Sequence, residues 1–108
     1  MSPSDQTADL LSRRLVDALH PCPQKVVLFG SRARNDAVAD SDYDLLVVWA
    51  TDLPPAQRAY VANRALRDLG VPVDVVVLTP AEVAAQADWC SSIVRTALRE
   101  GRVLHEAA

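Results

Sequence analysis

Little in this sequence points to thiol-bound metal, to a membrane or to a general nucleic-acid surface. Only two cysteines, Cys22 and Cys90, occur among the 108 residues. They are far apart and neither belongs to a Cys-x-x-Cys pair, so no zinc site is suggested and reduced, structural thiols are the reading. No apolar run reaches the length of a membrane span. The first residues, Met1-Ser2-Pro3-Ser4-Asp5, are polar and lack a signal-peptide core, so the cytoplasm is the expected address. Positive charge is not in surplus. A formal net charge of −3 and a pI near 5.2 argue against the basic surface of a nucleic-acid binder, and no direct nucleic-acid contact is expected. Repeats, linkers and low-complexity segments are missing. The two histidines, His20 and His105, have no readable partner for a catalytic dyad. What remains is a chain that is 50% hydrophobic and of a length suited to one small domain, expected to span residues 1–108.

The apolar residues alternate between helical and strand patterns. Asp5 to His20 reads as a helix whose Leu11, Leu15, Ala18 and Leu19 form an apolar stripe, with Ser4 as N-cap and Arg13-Arg14 on a solvated face. Pro21-Cys22-Pro23 stops it. Lys25-Val26-Val27-Leu28-Phe29 is a short β-branched run that reads as a buried strand, and residues 43–49 read as a second. Pro54-Pro55 suits the start of a helix that runs to about Leu69, with Val61, Ala65, Leu66 and Leu69 on one face. Gly70 and Pro72 break it. Val71 to Leu78 is a third strand. Thr79-Pro80-Ala81-Glu82 is a capping-box start for a short helix to about Ala87. A last helix begins at Asp88 or Ser91, packs Ile93, Val94, Ala97 and Leu98, and ends at Gly101. Arg95, Arg99 and Arg102 read as solvated, and Trp89 as a core residue ahead of a partner-facing one. Helices and strands in this order make an α/β chain.

Between the first two strands lies the stretch that carries chemistry, Gly30-Ser31-Arg32-Ala33-Arg34-Asn35 and then Asp42-Tyr43-Asp44. Side chains alternate along a strand, so Asp42 and Asp44 project from one face. At ~6 Å and an effective dielectric of ~20, two such carboxylates repel by about 3 kcal/mol. Hard oxygen ligands of this kind suit Mg²⁺, which takes one or two carboxylates plus the phosphates of a substrate. A helix starting at Ser31 would offer backbone N–H groups to an anion, and Gly30 would let backbone approach it closely. Arg32 and Arg34 add positive charge. A Gly-Ser pair alone is ordinarily just a turn. Asp74, an acid in a valine run, is costly unless satisfied. It either caps the exposed start of the strand or joins Asp42 and Asp44.

Gly30-Ser31 followed at this spacing by Asp42-x-Asp44 resembles the signature of the nucleotidyltransferase superfamily typified by DNA polymerase β. The short length makes the chain most similar to the minimal nucleotidyltransferases, antitoxin partners of HEPN-domain toxins. Asn35 stands where these proteins often carry glycine, and Asn visits left-handed backbone more readily than most residues.

The resemblance implies a small mixed sheet backed by helices. It implies that Asp42, Asp44 and Asp74 hold Mg²⁺ and act in catalysis, and that Gly30 and Ser31, with Arg32 and Arg34 nearby, hold the phosphates of ATP. It implies transfer of AMP to a hydroxyl, a tyrosine of a HEPN toxin. Two other readings stay open: an antitoxin that masks its toxin by contact alone, and a transferase acting on a small molecule.

Overall fold

The computed structural model describes residues 3–30, 42–86 and 93–107. Helix α1 (Pro3–Ala18) leads into strand β1 (Lys25–Phe29). Strand β2 (Tyr43–Val48) is followed by helix α2 (Pro55–Leu66), which tightens into a 3₁₀ turn over Arg67–Leu69. Strand β3 (Val73–Leu78), helix α3 (Pro80–Gln86), helix α4 (Ile93–Glu100) and strand β4 (Arg102–Glu106) complete the chain. The four strands form one mixed sheet in the order β3-β2-β1-β4. β1 runs antiparallel to β2 and β4, and β2 runs parallel to β3.

The central strands are buried on both sides, which is why they read as unbroken apolar runs rather than alternating ones. On one face, Leu11, Leu15 and Leu19 meet Val26, Leu28, Leu45, Val47, Val75 and Val77, with Ala62 and Leu66 of α2 closing the layer. Truncating one such leucine to alanine costs about 2–5 kcal/mol. The other face is smaller. Val27, Leu46 and Ala97 are buried there, with Phe29, Val76 and Leu78 packed around them. The sheet is thus mixed and carries helices on both faces, the architecture expected from the sequence.

Several local expectations hold. Gly70 ends the second helix in a left-handed conformation, φ 64°. The capping box forms: Thr79 N–H donates to Glu82 Oε1 at 2.8 Å, and Glu82 N–H donates to Thr79 Oγ1 at 3.3 Å. Others are corrected. The first helix already begins at Pro3, so Ser4 is inside it rather than capping it; proline suits a first helical position. Arg14 is not merely solvated, since its guanidinium grips both oxygens of Asp68, at 2.7 and 2.9 Å. That guanidinium holds the Asp68 carboxyl below its usual pKa. Cys22 is a free thiol, as expected, and it is exposed. The strand β4 is an addition: no element was read after Gly101, and Arg102, read as solvated, opens it. Trp89, Cys90 and the side chains of Ile93 and Leu98 lie outside the described residues.

Candidate active site at one end of the sheet

The end of the sheet where β1 stops and β2 and β3 begin gathers the sequence-predicted carboxylates. Asp42 is exposed, just ahead of β2. Asp44 is the second residue of β2 and half-buried; Asp74 is the second residue of β3 and exposed. The parallel register sets Asp44 directly beside Asp74, and the antiparallel register sets Asp44 opposite Phe29. Both the exposed strand start and the neighbourhood of Asp44 describe where Asp74 stands. It stands at the solvent-exposed start of its strand, where its charge stays hydrated, and it flanks Asp44 on the same face of the sheet. Tyr43 N–H donates to Pro72 O at 3.0 Å, which ties the starts of β2 and β3 together and fixes the level of the two carboxylates.

Gly30 leaves β1 with φ +76°, a conformation that L side chains rarely adopt. A Cβ built on it would overlap the Asp44 Oδ2 and lie 3.2 Å from the Asp44 Cγ. The absence of a side chain at Gly30 is what lets the Asp44 carboxylate reach over the end of β1. Phe29 stands in the same cross-sheet row, half-buried, and gives Asp44 an apolar neighbour on its β1 side. Ser31, Arg32, Arg34 and Asn35, expected to bind phosphate or shape the turn, lie outside the described residues.

Among the described residues, no group of three or more His, Cys, Asp or Glu side chains is drawn together into a metal cage. The oxygen donors of Asp42, Asp44 and Asp74 nevertheless suit a hard divalent cation, because such an ion is ordinarily shared between one or two carboxylates and substrate phosphates.

A cavity of about 530 Å³ lies at the opposite end of the strands, lined by Gln24, Lys25, Val48, Pro80, Val83, Glu106 and Ala107. It is remote from the carboxylates and belongs to no part of this site. Near it, Arg58 is buried yet fully partnered, donating through Nε to Leu53 O and through an NH1 ion pair to Glu82 Oε1, both at 2.7 Å.

Residues 11–104 match the nucleotidyltransferase domain family. The chain belongs to that family, and it is a nucleotidyltransferase. One curated relative, from Methanocaldococcus jannaschii, carries the name of a protein adenylyltransferase; it is 34% identical over 85 residues, which cover 76% of this chain and 78% of that one. Solved structures agree in fold. A nucleotidyltransferase from Sulfolobus solfataricus superposes with a TM-score of 0.65 at 24% identity, covering 93% of this chain and 78% of the other. A toxin–antitoxin structure with AMP-PNP gives 0.62 at 24% identity, covering 95% and 73%. A tri-AMPylated Shewanella oneidensis HEPN toxin in complex with an MNT antitoxin gives 0.55 at 24% identity, covering 96% and 71%. Enzymes of this family act on a nucleotide with a divalent metal. No helix of this nucleotidyltransferase, among the described residues, is long and apolar enough to cross a membrane.

The three carboxylates at this end of the sheet, Asp42, Asp44 and Asp74, are all legible in the sequence. Sequence reasoning did not find the steric link between Gly30 and Asp44, nor the side-by-side register of Asp44 and Asp74. Both depend on which strands pair and how. The one signal available was the Gly immediately after an apolar run.

Proposed function

We propose that this nucleotidyltransferase transfers AMP from ATP to a tyrosine hydroxyl of a partner HEPN-domain toxin, with Mg²⁺, in the cytoplasm, and that it acts thereby as an antitoxin. Its 108 residues would work as a single minimal domain. The observation that carries the reading is the pairing of Asp44 with Asp74 beside the left-handed Gly30. The adenylyltransferase name of the archaeal relative supports the donor and the class of acceptor. The toxin–antitoxin neighbours support the choice of partner.

In this reading Gly30 and Ser31 bind the β- and γ-phosphates, with Arg32 and Arg34 adding positive charge. Asp42, Asp44 and Asp74 would hold Mg²⁺, which would supply charge neutralisation along the triphosphate. Asp74, exposed at the β3 start, accepts the proton of the acceptor hydroxyl. The hydroxyl oxygen forms a bond to the α-phosphorus in line, the α-phosphorus–oxygen bond to the β-phosphate breaks, and pyrophosphate leaves. The work of these side chains is positioning and electrostatic stabilisation, the main sources of rate in phosphoryl transfer.

The test is incubation of the protein with labelled ATP, Mg²⁺ and a purified HEPN-domain toxin. Label on the HEPN protein that disappears when its acceptor tyrosine is changed to phenylalanine is expected. Label on no protein, with the toxin nonetheless held in a stable complex, would replace this reading with masking by contact.

A further inference from the structure

The two edges of the sheet are built differently. β4 is guarded: it is charged at both ends, Glu106 is tied to Lys25 at 3.0 Å, and its pairing with β1 shifts register between Val26 and Val27. β3, at the other edge, has none of these devices. It pairs with β2 in unbroken register from Val73 to Leu78, and Asp74 is its only charge. An apolar, regular edge of this kind is a template for another strand.

The ladder shows which backbone groups are open. Tyr43 N–H donates to Pro72 O at 3.0 Å, and Trp49 N–H donates to Leu78 O at 2.9 Å. In a parallel pair, alternate residues turn their N–H and C=O toward the neighbouring strand. Asp74, Val76 and Leu78 therefore bond to β2, while Val73, Val75 and Val77 turn their backbone groups outward. Among the described residues, none of these outward groups makes a backbone hydrogen bond beyond the sheet. The side chains add a direction. Asp74, Val76 and Leu78 lie on the face shared with Asp44 and Leu46, and Val76 and Leu78 are only half-buried there. The edge strand thus presents a carboxylate at the candidate site and an apolar strip leading away from it.

We infer that an extended segment of the acceptor protein adds to the sheet along β3 and brings its tyrosine hydroxyl beside Asp74. This rests on the reading of the protein as an AMP transferase acting on a partner's tyrosine. Main-chain bonds to Val73, Val75 and Val77 supply affinity, and alternate side chains supply specificity. At a strand spacing of ~4.8 Å the hydroxyl-bearing residue sits next to Asp74, and an apolar residue ~7 Å further along sits next to Val76. A second copy of this chain suits the edge less well. Antiparallel pairing of two β3 strands sets Asp74 against an apolar residue, which shuts the acceptor out, or against the other copy's Asp74, where like charges repel.

Residue-by-residue amide exchange, read by NMR on the protein alone and with an excess of a purified HEPN-domain toxin, tests it beside the labelled-ATP transfer assay. In the protein alone, the amides of Val73, Val75 and Val77 should exchange faster than those of Asp74, Val76 and Leu78. The toxin should slow the three outward amides by about tenfold or more. Val73→Pro removes an outward N–H at the first position of the strand, where proline is tolerated. It should raise the KM for the toxin about tenfold, the worth of one hydrogen bond, and leave ATP affinity unchanged. Should that variant fail to melt cooperatively, the exchange pattern decides alone. Label on the toxin, with the outward amides exchanging as in the protein alone, overturns the inference and leaves AMP transfer standing. Outward amides already protected in the protein alone, and more so as its concentration rises, assign the edge to a second copy and overturn it. Protection by the toxin without label keeps the docking edge and overturns transfer; neither label nor protection overturns both.

Discussion

The Asp44 carboxylate occupies the space that a side chain on Gly30 would need. Gly30 follows the end of β1 and Asp44 lies in β2, and Asp44 holds its position because Gly30 carries no side chain. Gly30→Ala therefore faces two costs, about 1–2 kcal/mol for a left-handed backbone with a Cβ and a steric conflict with Asp44. The second should vanish when Asp44 is shortened. In a double-mutant cycle, Gly30→Ala should destabilise the protein less in an Asp44→Ala background than alone, with a coupling of about 0.5–3 kcal/mol. Additive effects in urea unfolding would show that the contact has no energetic weight.

The Asp44–Asp74 pairing has its own signature in the metal-free protein. Like charges directly opposite on neighbouring strands destabilise a sheet. Asp74→Asn removes one of them at an exposed position, so the melting temperature without metal should stay level or rise, with a gain of about 0.2–1 kcal/mol. Stabilisation by Mg²⁺-ATP should weaken. The same variant should lose transfer while retaining much of its nucleotide affinity, because Asp74 is assigned the acceptor side. A clear loss of metal-free stability would make Asp74 a structural residue instead.

The contrast between what was and was not readable follows from how far each feature reaches along the chain. β1 and the capping box Thr79–Glu82 are local, set by β-branched runs and by Thr-x-x-Glu spacing. The sequence shows them directly. Alternation places Asp42 and Asp44 on one face but says nothing of register, so the meeting of Asp44 with Asp74 needed the parallel pairing of β2 with β3. Arg14 finds Asp68 across 54 positions, a pairing no periodicity marks. β4 escaped notice for another reason. Arg102-Val103-Leu104-His105-Glu106 is short, charged at both ends and on the sheet edge, and its pairing with β1 shifts register between Val26 and Val27. Edge strands are commonly built in this way and lack the apolar signal of central ones.

Acid should loosen the α2–α3 contact. The Thr79 N–H holds the Glu82 carboxyl below its ordinary value of 4.5; burial opposes it, and the Arg58 guanidinium adds to the lowering. A carboxylate whose pKa is lower folded than unfolded contributes stability above its unfolded value, and that contribution is lost as pH falls through the folded one. The melting temperature should therefore drop as pH falls below about 4.5, and Glu82→Gln should flatten that part of the fall while lowering stability at neutral pH. An acid limb identical in Glu82→Gln and the unaltered protein would assign the loss to other carboxylates.

Gly101 offers a test of the junction that positions β4. Its Cα packs where Ala97 O, Val27 Cγ1 and Leu28 O leave no room for a methyl group. Gly101→Ala should cost about 1–3 kcal/mol, as overpacking ordinarily does, and should reduce hydrogen-exchange protection along β4 more than along β3. Uniform loss of protection across the sheet would mean that the junction is not a local hinge point for that strand.

The most direct measurement of the central claim is the intact mass of the partner toxin after co-expression with the unaltered protein or with Asp42→Asn/Asp44→Asn. The double variant removes two carboxylates at one strand start and leaves the rest of the surface intact, so it separates catalysis from contact. The account predicts toxin carrying added AMP and surviving cells with the unaltered protein, and unmodified toxin and arrested growth with the variant. Cells protected by the variant while the toxin remains unmodified would contradict it and leave binding alone as the means of neutralisation.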